Sequence, residues 1–234
     1  MSDEQPAAGR AAPPSSYRLI ITLAVIAMMS GLLVATTFQV TSGRIQDNRR
    51  AALEEAIFEV LPEATSKRAF TLGDNGLRPL PEAEAGRAGL FAGYDADGEL
   101  AGVAIEGAAR GYQDVVRILY GYSPEDECIT GFTVLQSSET PGLGDRVETD
   151  PEFLANFDCL DASLNPDRSA LANEIVTVKH GEKTRPWQID AISGATVTSQ
   201  AIGAAMQSSA SRILPALARD RQSLRQPPPP EDAP

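Results

Sequence analysis

The sequence predicts an α+β fold, with a mostly antiparallel sheet and flanking helices, preceded by one transmembrane helix. Three observations predict it. An apolar stretch without charged residues lies near the N-terminus, at residues 19–38. Short segments rich in β-branched and aromatic residues, separated by Gly-containing turns, occupy the middle of the chain. An Ala-rich amphipathic segment follows them at residues 198–214, and a run of strands followed by a helix is typical of the α+β class.

The membrane helix is predicted by residues 19–38, LIITLAVIAMMSGLLVATTF. About 20 apolar residues cross the hydrocarbon core of a bilayer as a helix. A cleaved signal peptide is the alternative, but its apolar region is usually about 7–15 residues long. We therefore predict a retained anchor over residues 19–41. Residues 1–18 are rich in Pro and Ala and are predicted to be disordered.

Residues 42–87 are predicted to form an amphipathic helix and a linker. Apolar side chains recur at helical spacing over residues 45–61, and Pro62 ends the pattern. This apolar stripe consists of Leu53, Ala56, Ile57, Val60 and Leu61. Residues 71–87 are rich in Gly, Pro and Glu, which is typical of an irregular connection.

Residues 88–214 are predicted to form the main domain, which begins with two antiparallel hairpins. The first joins residues 89–94 to residues 100–105 through a turn that contains Asp97-Gly98. The second joins residues 115–120 to residues 129–135. The later elements are a short helix over 150–157, strands at 173–179 and 187–189, the closing helix over 198–214, and a solvated proline-rich tail over 215–234.

Charge and cysteine content exclude several classes of function. The formal net charge is −12, whereas a nucleic-acid-binding surface needs clustered Lys and Arg. Cys128 and Cys159 lack the CxxC spacing of metal or redox sites. Two independent buried thiols are the default expectation. A single disulfide is the alternative if the domain lies outside the cytoplasm.

A first motif, Asp190-Ala-Ile-Ser-Gly-Ala-Thr-Val-Thr-Ser199, precedes the closing helix. Ser193 and Gly194 predict a tight turn, after which the helix begins near residues 196–199. The unpaired amides and positive dipole end of a helix start suit a phosphate group. The hydroxyl groups there could bind the phosphate or be esterified by it. An N-capped helix without a ligand is the alternative, because Ser and Thr are common caps.

A second motif, Glu139-Thr140-Pro141-Gly142-Leu143-Gly144, lies upstream of the first. Its two glycines allow backbone amides to approach a ligand closely. Leu143 with Pro141 offers an apolar face for a ring, and the Thr140 hydroxyl can hydrogen-bond a ring heteroatom. The alternative is a Pro-Gly turn whose Leu143 side chain points into the core.

Catalytic side chains are scarce in this sequence. His180 is the single histidine and lies beside Lys179, near the end of a predicted strand, where a solvated side chain is expected. Ser193 lacks the GxSxG elbow of hydrolases. The phosphate-binding fingerprints GxxxxGK[ST] and GxGxxG do not follow any predicted strand. We therefore predict neither a catalytic residue nor a metal site.

The two motifs together resemble the covalent FMN-binding domain family. The resemblance implies that FMN is joined to Thr196 through a phosphoester bond. It also implies that the remaining motif residues bind the cofactor, namely Asp190, Ser193, Gly194, Ala195, Thr198, Ser199, Glu139, Thr140, Gly142, Leu143 and Gly144. One departure is Gly111-Tyr112-Gln113-Asp114, which lacks the further glycines expected after the tyrosine.

By layout, the chain resembles the G subunit of Rnf electron-transport complexes and, next, the C subunit of sodium-pumping NADH:quinone reductases. This resemblance implies an electron carrier in an ion-translocating oxidoreductase that associates with other membrane subunits. It also implies attachment of FMN by a flavin transferase that uses FAD and magnesium. An extracytoplasmic flavin-containing redox sensor and an anchored binding module without flavin are the alternatives from other classes.

The resemblance further implies an inner-membrane protein with one span and its main domain on the periplasmic side. Charge counting favours the opposite orientation weakly. Arg10 and Arg18 precede the span, whereas Arg44, Arg49 and Arg50 follow it. Long domains are translocated largely regardless of such small differences, so we expect the periplasmic orientation.

Overall fold

The computed structural model describes residues 16–73 and 76–225. Contacts divide the chain into two compact units, residues 1–49 and residues 50–234. Most of the segment that was predicted to be disordered, and the end of the proline-rich tail at 226–234, lie outside the described residues.

Helix α1, Ser16–Val60, contains the predicted anchor. It is long and apolar enough to cross a membrane, and its most apolar window is not buried inside the protein. The prediction that a separate amphipathic helix begins at residue 45 is wrong, because α1 continues without a break to Val60. The sequence has no proline between residues 16 and 60 that would break the helix. The predicted end is confirmed, since α1 stops two residues before Pro62.

The second unit is built on a seven-stranded sheet in which every neighbouring pair is antiparallel. Its spatial order is β2-β1-β3-β4-β5-β6-β7. The strands are β1 Ser66–Gly73, β2 Gly76–Pro79, β3 Leu90–Tyr94, β4 Leu100–Arg110, β5 Val115–Ser123, β6 Cys128–Gln136 and β7 Leu160–Asp161. The two predicted hairpins, β3–β4 and β5–β6, are confirmed. Gly98 has a φ of +80° in the first of these turns, a conformation that glycine adopts without strain.

The prediction of an irregular connection over residues 71–87 is wrong. The sheet begins earlier, with the β1–β2 hairpin, and a 3₁₀ helix follows at Glu82–Arg87. Phe70 and Leu77 on this hairpin are buried in the core. The backbone N–H of Leu77 also donates to Asp220 Oδ2 at 2.8 Å. The Asp220 side chain therefore holds the edge strand β2 from a distant part of the sequence. No local sequence pattern predicts this contact.

The remaining elements place the site. Helix α2, Pro151–Leu154, continues into a 3₁₀ turn at Ala155–Phe157, which confirms the predicted short helix. Strand β8, Val176–Val178, is shorter than predicted, and β9, Gln188–Asp190, begins one residue later than predicted. They form a separate parallel pair. The parallel pair delivers the chain directly into the Ser193 turn.

The closing helix α3 is longer than predicted, spanning Thr196–Arg219 with Pro215 inside it. The prediction of a solvated tail from residue 215 is therefore wrong for residues 215–225. A last 3₁₀ turn, Ser223–Arg225, ends the described chain. Proline removes one helical hydrogen bond. Burial of Leu214, Leu217 and Leu224 in the core compensates for that loss.

The sheet has a helix on each face. Helix α3 packs on one face so closely that a Cβ at Gly107 would lie 2.8 Å from the Ala205 carbonyl oxygen. The last turns of α1 pack on the other face, where a Cβ at Gly121 would overlap the Val60 carbonyl oxygen. Alternate residues of the central strands therefore enter two separate apolar clusters.

Cys128 and Cys159 form a disulfide, with their Cα atoms 5.2 Å apart. The default expectation of two independent thiols is therefore wrong, and the alternative of a single disulfide is correct. The physical reason is the β6–β7 pairing. Cys128 lies opposite Asp161 in that ladder, so Cys159, two residues before Asp161, lies beside the start of β6.

Candidate functional site

The first motif forms a tight turn between β9 and α3, as predicted. Gly194 has a φ of +87°, and the Ala195 N–H donates to the Ile192 carbonyl oxygen at 3.0 Å. Ser193 and Gly194 are exposed at the tip of this turn. Helix α3 begins immediately afterwards at Thr196.

The start of α3 has no side-chain cap. Ala195 occupies the N-cap position and cannot accept a hydrogen bond through its side chain. The first-turn amides therefore lack the Ser or Thr cap that the ligand-free alternative requires. An uncapped helix start, with the positive end of the dipole, can bind phosphate oxygens.

The three hydroxyl groups of the first helical turn have different surroundings. Thr196 is half-buried, and its Oγ1 makes only a long contact of 3.4 Å with the Ile192 carbonyl oxygen. Thr198 is 3% exposed and donates to Glu139 Oε2 at 2.6 Å. Ser199 is fully buried, donates to the Ala195 carbonyl oxygen and accepts from the Ile192 N–H. Among the three residues, Thr196 is the most exposed.

The second motif forms a loop between β6 and a 3₁₀ turn at Gly144–Glu148. The N–H groups of Leu143 and Gly144 both donate to the Thr140 carbonyl oxygen. Gly142 adopts a φ of +77°, which explains why glycine stands there. The Leu143 side chain is 52% exposed. This loop therefore presents Leu143 to solvent, in contrast to the alternative in which it fills the core.

The structure brings the two motifs into direct contact. A Cβ at Gly144 would lie 3.0 Å from Thr198 Oγ1, so the loop touches the first turn of α3. Leu143 and Val197 lie next to this contact and are 52% and 46% exposed. They supply exposed apolar surface next to this contact. Such a surface suits a flat aromatic ring.

Asp190 fixes the chain before the turn. Its carboxylate accepts the Gly181 N–H at 2.7 and 3.0 Å and lies 3.8 Å from His180 Nδ1. Its backbone N–H donates to the buried Asn156 side chain at 3.0 Å. Lys183 Nζ donates to the same Asn156 oxygen. Burial lowers the pKa of Lys183, although the charges of Asp190 and Asp158 act in the opposite direction.

Arg146 places a positive charge beside the Ser193-Gly194 turn. Its Nη1 donates to the Ser193 carbonyl oxygen at 3.4 Å, and its Nη2 donates to Asp150 Oδ2 at 2.6 Å. Asp150 also caps α2 through the amides of Glu152 and Phe153. Desolvation raises the pKa of Asp150, but the hydrogen bonds from Arg146 and these amides outweigh it, so the pKa is lowered.

A cavity of about 120 Å³ opens beside Ser193, between α2 and the turn. It is lined by Arg146, Asp150, Glu152, Phe153, His180, Asp190, Ala191, Ile192 and Ser193. His180 is about half exposed here, as expected for a solvated side chain. Within residues 16–73 and 76–225, no group of three His, Cys, Asp or Glu side chains is arranged to hold a metal ion.

Sequence patterns do not reveal three residues of this site. Arg146 and Asn156 lie outside both motifs, and Gln113 lies in a segment that departs from the family pattern. Gln113 Nε2 donates to Thr140 Oγ1 at 2.8 Å. The i,i+4 spacing of Arg146 and Asp150 is a usable signal for an ion pair. Nothing local indicates the contacts of Asn156 with Asp190 and Lys183, or of Gln113 with Thr140, because those partners are more than 20 residues away.

Comparison with protein families identifies two matching regions. Residues 111–211 match the FMN-binding domain, and residues 15–60 match the RnfG N-terminal region. The G subunit of an ion-translocating oxidoreductase complex from Methanosarcina acetivorans is 32% identical over 82% of this chain and 90% of the relative. The G subunit of a Na⁺-translocating ferredoxin:NAD⁺ oxidoreductase complex from Acetobacterium woodii is 29% identical over 80% of this chain and 86% of the relative.

Among solved structures, NqrC of Shewanella oneidensis has the same fold. The TM-score is 0.61 at 19% identity, and the match covers 76% of this chain and 99% of NqrC. At this identity, the similarity concerns the fold alone.

Proposed function

The chain belongs to the family of G subunits of ion-translocating oxidoreductase complexes, and we propose that it carries electrons in such a complex through one FMN esterified to Thr196. The observation that carries the proposal is the contrast among the first-turn hydroxyls of α3. Thr198 and Ser199 are buried and hydrogen-bonded, whereas Thr196 is partly exposed at an uncapped helix start. The other membrane subunits of the complex are its partners under this proposal.

The residues of the site fit FMN. The first-turn amides of α3 and the Arg146 guanidinium suit the phosphate charge. Leu143 and Val197 offer exposed apolar surface for the ring. Thr140 and the glycines of its loop provide polar backbone and side-chain groups around it. When bound, FMN supplies the redox chemistry, so the protein needs to bind and orient it rather than supply a catalytic side chain.

Attachment to Thr196 requires a separate flavin transferase under this proposal. An alcohol is a weak nucleophile unless a base lies next to it. Asp190 is the one acidic residue of the first motif, and its carboxylate accepts hydrogen bonds from the Gly181 N–H. A covalent ester is useful outside the cytoplasm, because a tether keeps the cofactor at a high effective concentration instead of letting it diffuse away.

The protein is membrane-anchored, and we propose that its second unit faces the periplasm. The Cys128–Cys159 disulfide supports this orientation. Disulfides persist in oxidising compartments and are rare in the cytosol, where thiols are kept reduced. This argument outweighs the weak bias of the arginines that flank the span.

The wild-type protein tests the cofactor assignment. Full-length protein co-expressed with a flavin transferase should retain yellow colour, and its band should fluoresce in a gel after denaturation in SDS. Intact mass should increase by one FMN ester. A protein without an adduct despite an active transferase would refute the assignment. Co-expression with an inactive transferase is the control and should give a colourless protein.

Reporter fusions test the orientation. Alkaline phosphatase fused after residue 234 should be active, because this enzyme folds only when it is exported and can form disulfides. Green fluorescent protein fused at the same position should remain dark after export. A fluorescent fusion with inactive phosphatase would place the second unit in the cytoplasm and contradict the proposal.

A further inference from the structure

Glu139 is a buried carboxylate that joins the two motifs. It is 8% exposed, and its Oε2 accepts from Thr198 Oγ1 at 2.6 Å. Its Oε1 accepts from the Gln113 backbone N–H at 3.0 Å. A buried carboxylate is costly unless such hydrogen bonds satisfy it. The bond to Thr198 links residues 59 positions apart.

Two glycines make room for this carboxylate. A Cβ at Gly111 would lie 2.5 Å from Glu139 Oε1. A Cβ at Gly144 would lie 2.6 Å from Glu139 Cβ and 3.0 Å from its Oε2. At either position a side chain would force the neighbouring atoms to shift. The surrounding backbone is therefore shaped around the Glu139 side chain.

The contacts of Glu139 distinguish two threonines of the same helical turn. The Thr198 hydroxyl donates a hydrogen bond to Glu139 inside the protein. The Thr196 hydroxyl makes only the long 3.4 Å contact with Ile192. Both are secondary alcohols with the same intrinsic reactivity. The difference between them lies in what each hydroxyl contacts.

We propose that Glu139 restricts flavin attachment to Thr196 by holding the Thr198 hydroxyl in this buried hydrogen bond. Glu139 acts through Thr198 and is therefore a positioning residue that determines the site of esterification. The inference rests on the proposed FMN ester and deepens it. In the transfer, the threonine oxygen forms a phosphoester bond with the FMN phosphorus of FAD, the pyrophosphate bond of FAD breaks, AMP leaves, and the hydroxyl proton is released. A neighbouring carboxylate can activate an alcohol, but Thr198 is 3% exposed, so the phosphorus of FAD cannot reach its oxygen while the bond to Glu139 holds the hydroxyl inside the protein.

Three substitutions separate hydrogen bonding from charge. Glu139→Gln keeps the length and both hydrogen-bonding atoms but removes the charge, and a threonine hydroxyl can accept as well as donate. Glu139→Asp keeps the charge but is one methylene shorter, so it loses contact with Thr198. Glu139→Ala removes both. If the hydrogen bond is what keeps FMN off Thr198, the Glu139→Gln variant should be esterified as the wild type is. The Glu139→Asp and Glu139→Ala variants should then share the same altered pattern of esterification.

The readout is the position of the ester, mapped by peptide fragmentation of the full-length chain after co-expression with a flavin transferase. Wild type and Glu139→Gln should carry FMN on Thr196 only. Glu139→Asp and Glu139→Ala should also carry FMN on Thr198. Adding Thr198→Val to Glu139→Ala is the matched control and should return the adduct to Thr196 alone.

Several outcomes would overturn the inference. Folded Asp and Ala variants with FMN on Thr196 only would show that Glu139 does not select the site. An ester on Thr198 in Glu139→Gln would show that charge, not hydrogen bonding, is responsible. Failure of both the Asp and the Ala variant to fold would leave Glu139 a purely structural role. A wild-type chain without any adduct would instead refute the proposed function, so the two failures are distinguishable.

Discussion

Replacing Thr196 by Ala should abolish the covalent flavin and leave the fold intact. The substitution removes the hydroxyl that forms the ester. The lost side chain is half-buried and makes only one long hydrogen bond, to the Ile192 carbonyl oxygen. Alanine also favours a helix more than threonine does, by several tenths of a kcal/mol. We therefore expect in-gel flavin fluorescence to fall to background without a measurable loss of thermal stability.

Two neighbouring substitutions are the controls for this prediction. Thr196→Ser keeps a hydroxyl and should restore a fluorescent band. Thr198→Ala should keep the FMN on Thr196, although it leaves Glu139 without one of its partners and should lower stability by about 1–3 kcal/mol. A fluorescent Thr196→Ala protein whose adduct maps to another residue would contradict the assignment.

Removing the disulfide should lower the free energy of unfolding by about 3–4 kcal/mol, because Cys128 and Cys159 are 31 residues apart in sequence and the bond restricts a loop of that length in the unfolded chain. The double variant Cys128→Ser, Cys159→Ser should therefore unfold at a lower urea concentration. Circular dichroism or intrinsic fluorescence can follow this transition. A midpoint equal to that of the wild type would contradict the prediction.

The same variant should keep its flavin. Neither cysteine lies in either motif, and FMN needs no thiol ligand. Chemical reduction of the wild type provides the matched control, since it should lower stability by a similar amount, whereas the double variant should not respond to a reductant. A variant that folds normally but loses the covalent flavin would show that the site depends on this bond.

Local signals account for the parts of the fold that sequence predicts correctly. The β3–β4 hairpin has β-type segments on either side of Asp97-Gly98, so one stretch of chain contains both the strands and the turn. The short helix at Asp150 has its cap and its N1 proline adjacent in sequence. In each case the stabilising contacts lie within a few residues.

Long-range contacts account for the parts that sequence could not predict. The disulfide depends on β6 pairing with β7, a strand of two residues without a recognisable pattern. The extension of α3 past Pro215 depends on core partners from other elements.

The candidate site also has a part that the sequence predicts and a part that depends on long-range contacts. Both motifs, with Thr196, are recognisable through family resemblance. The relative burial of the Thr196 and Thr198 hydroxyls could not be ranked from sequence, because Glu139 contacts Thr198 from 59 residues away.

The bond between the Leu77 N–H and Asp220 Oδ2 has a consequence for the order of folding. It joins residues 143 positions apart, and it holds the edge strand β2 of the sheet. Contacts that are distant in sequence form slowly. With the second unit on the periplasmic side, the β1–β2 hairpin crosses the membrane well before Asp220, so this sheet edge is completed only once nearly the whole chain has been exported.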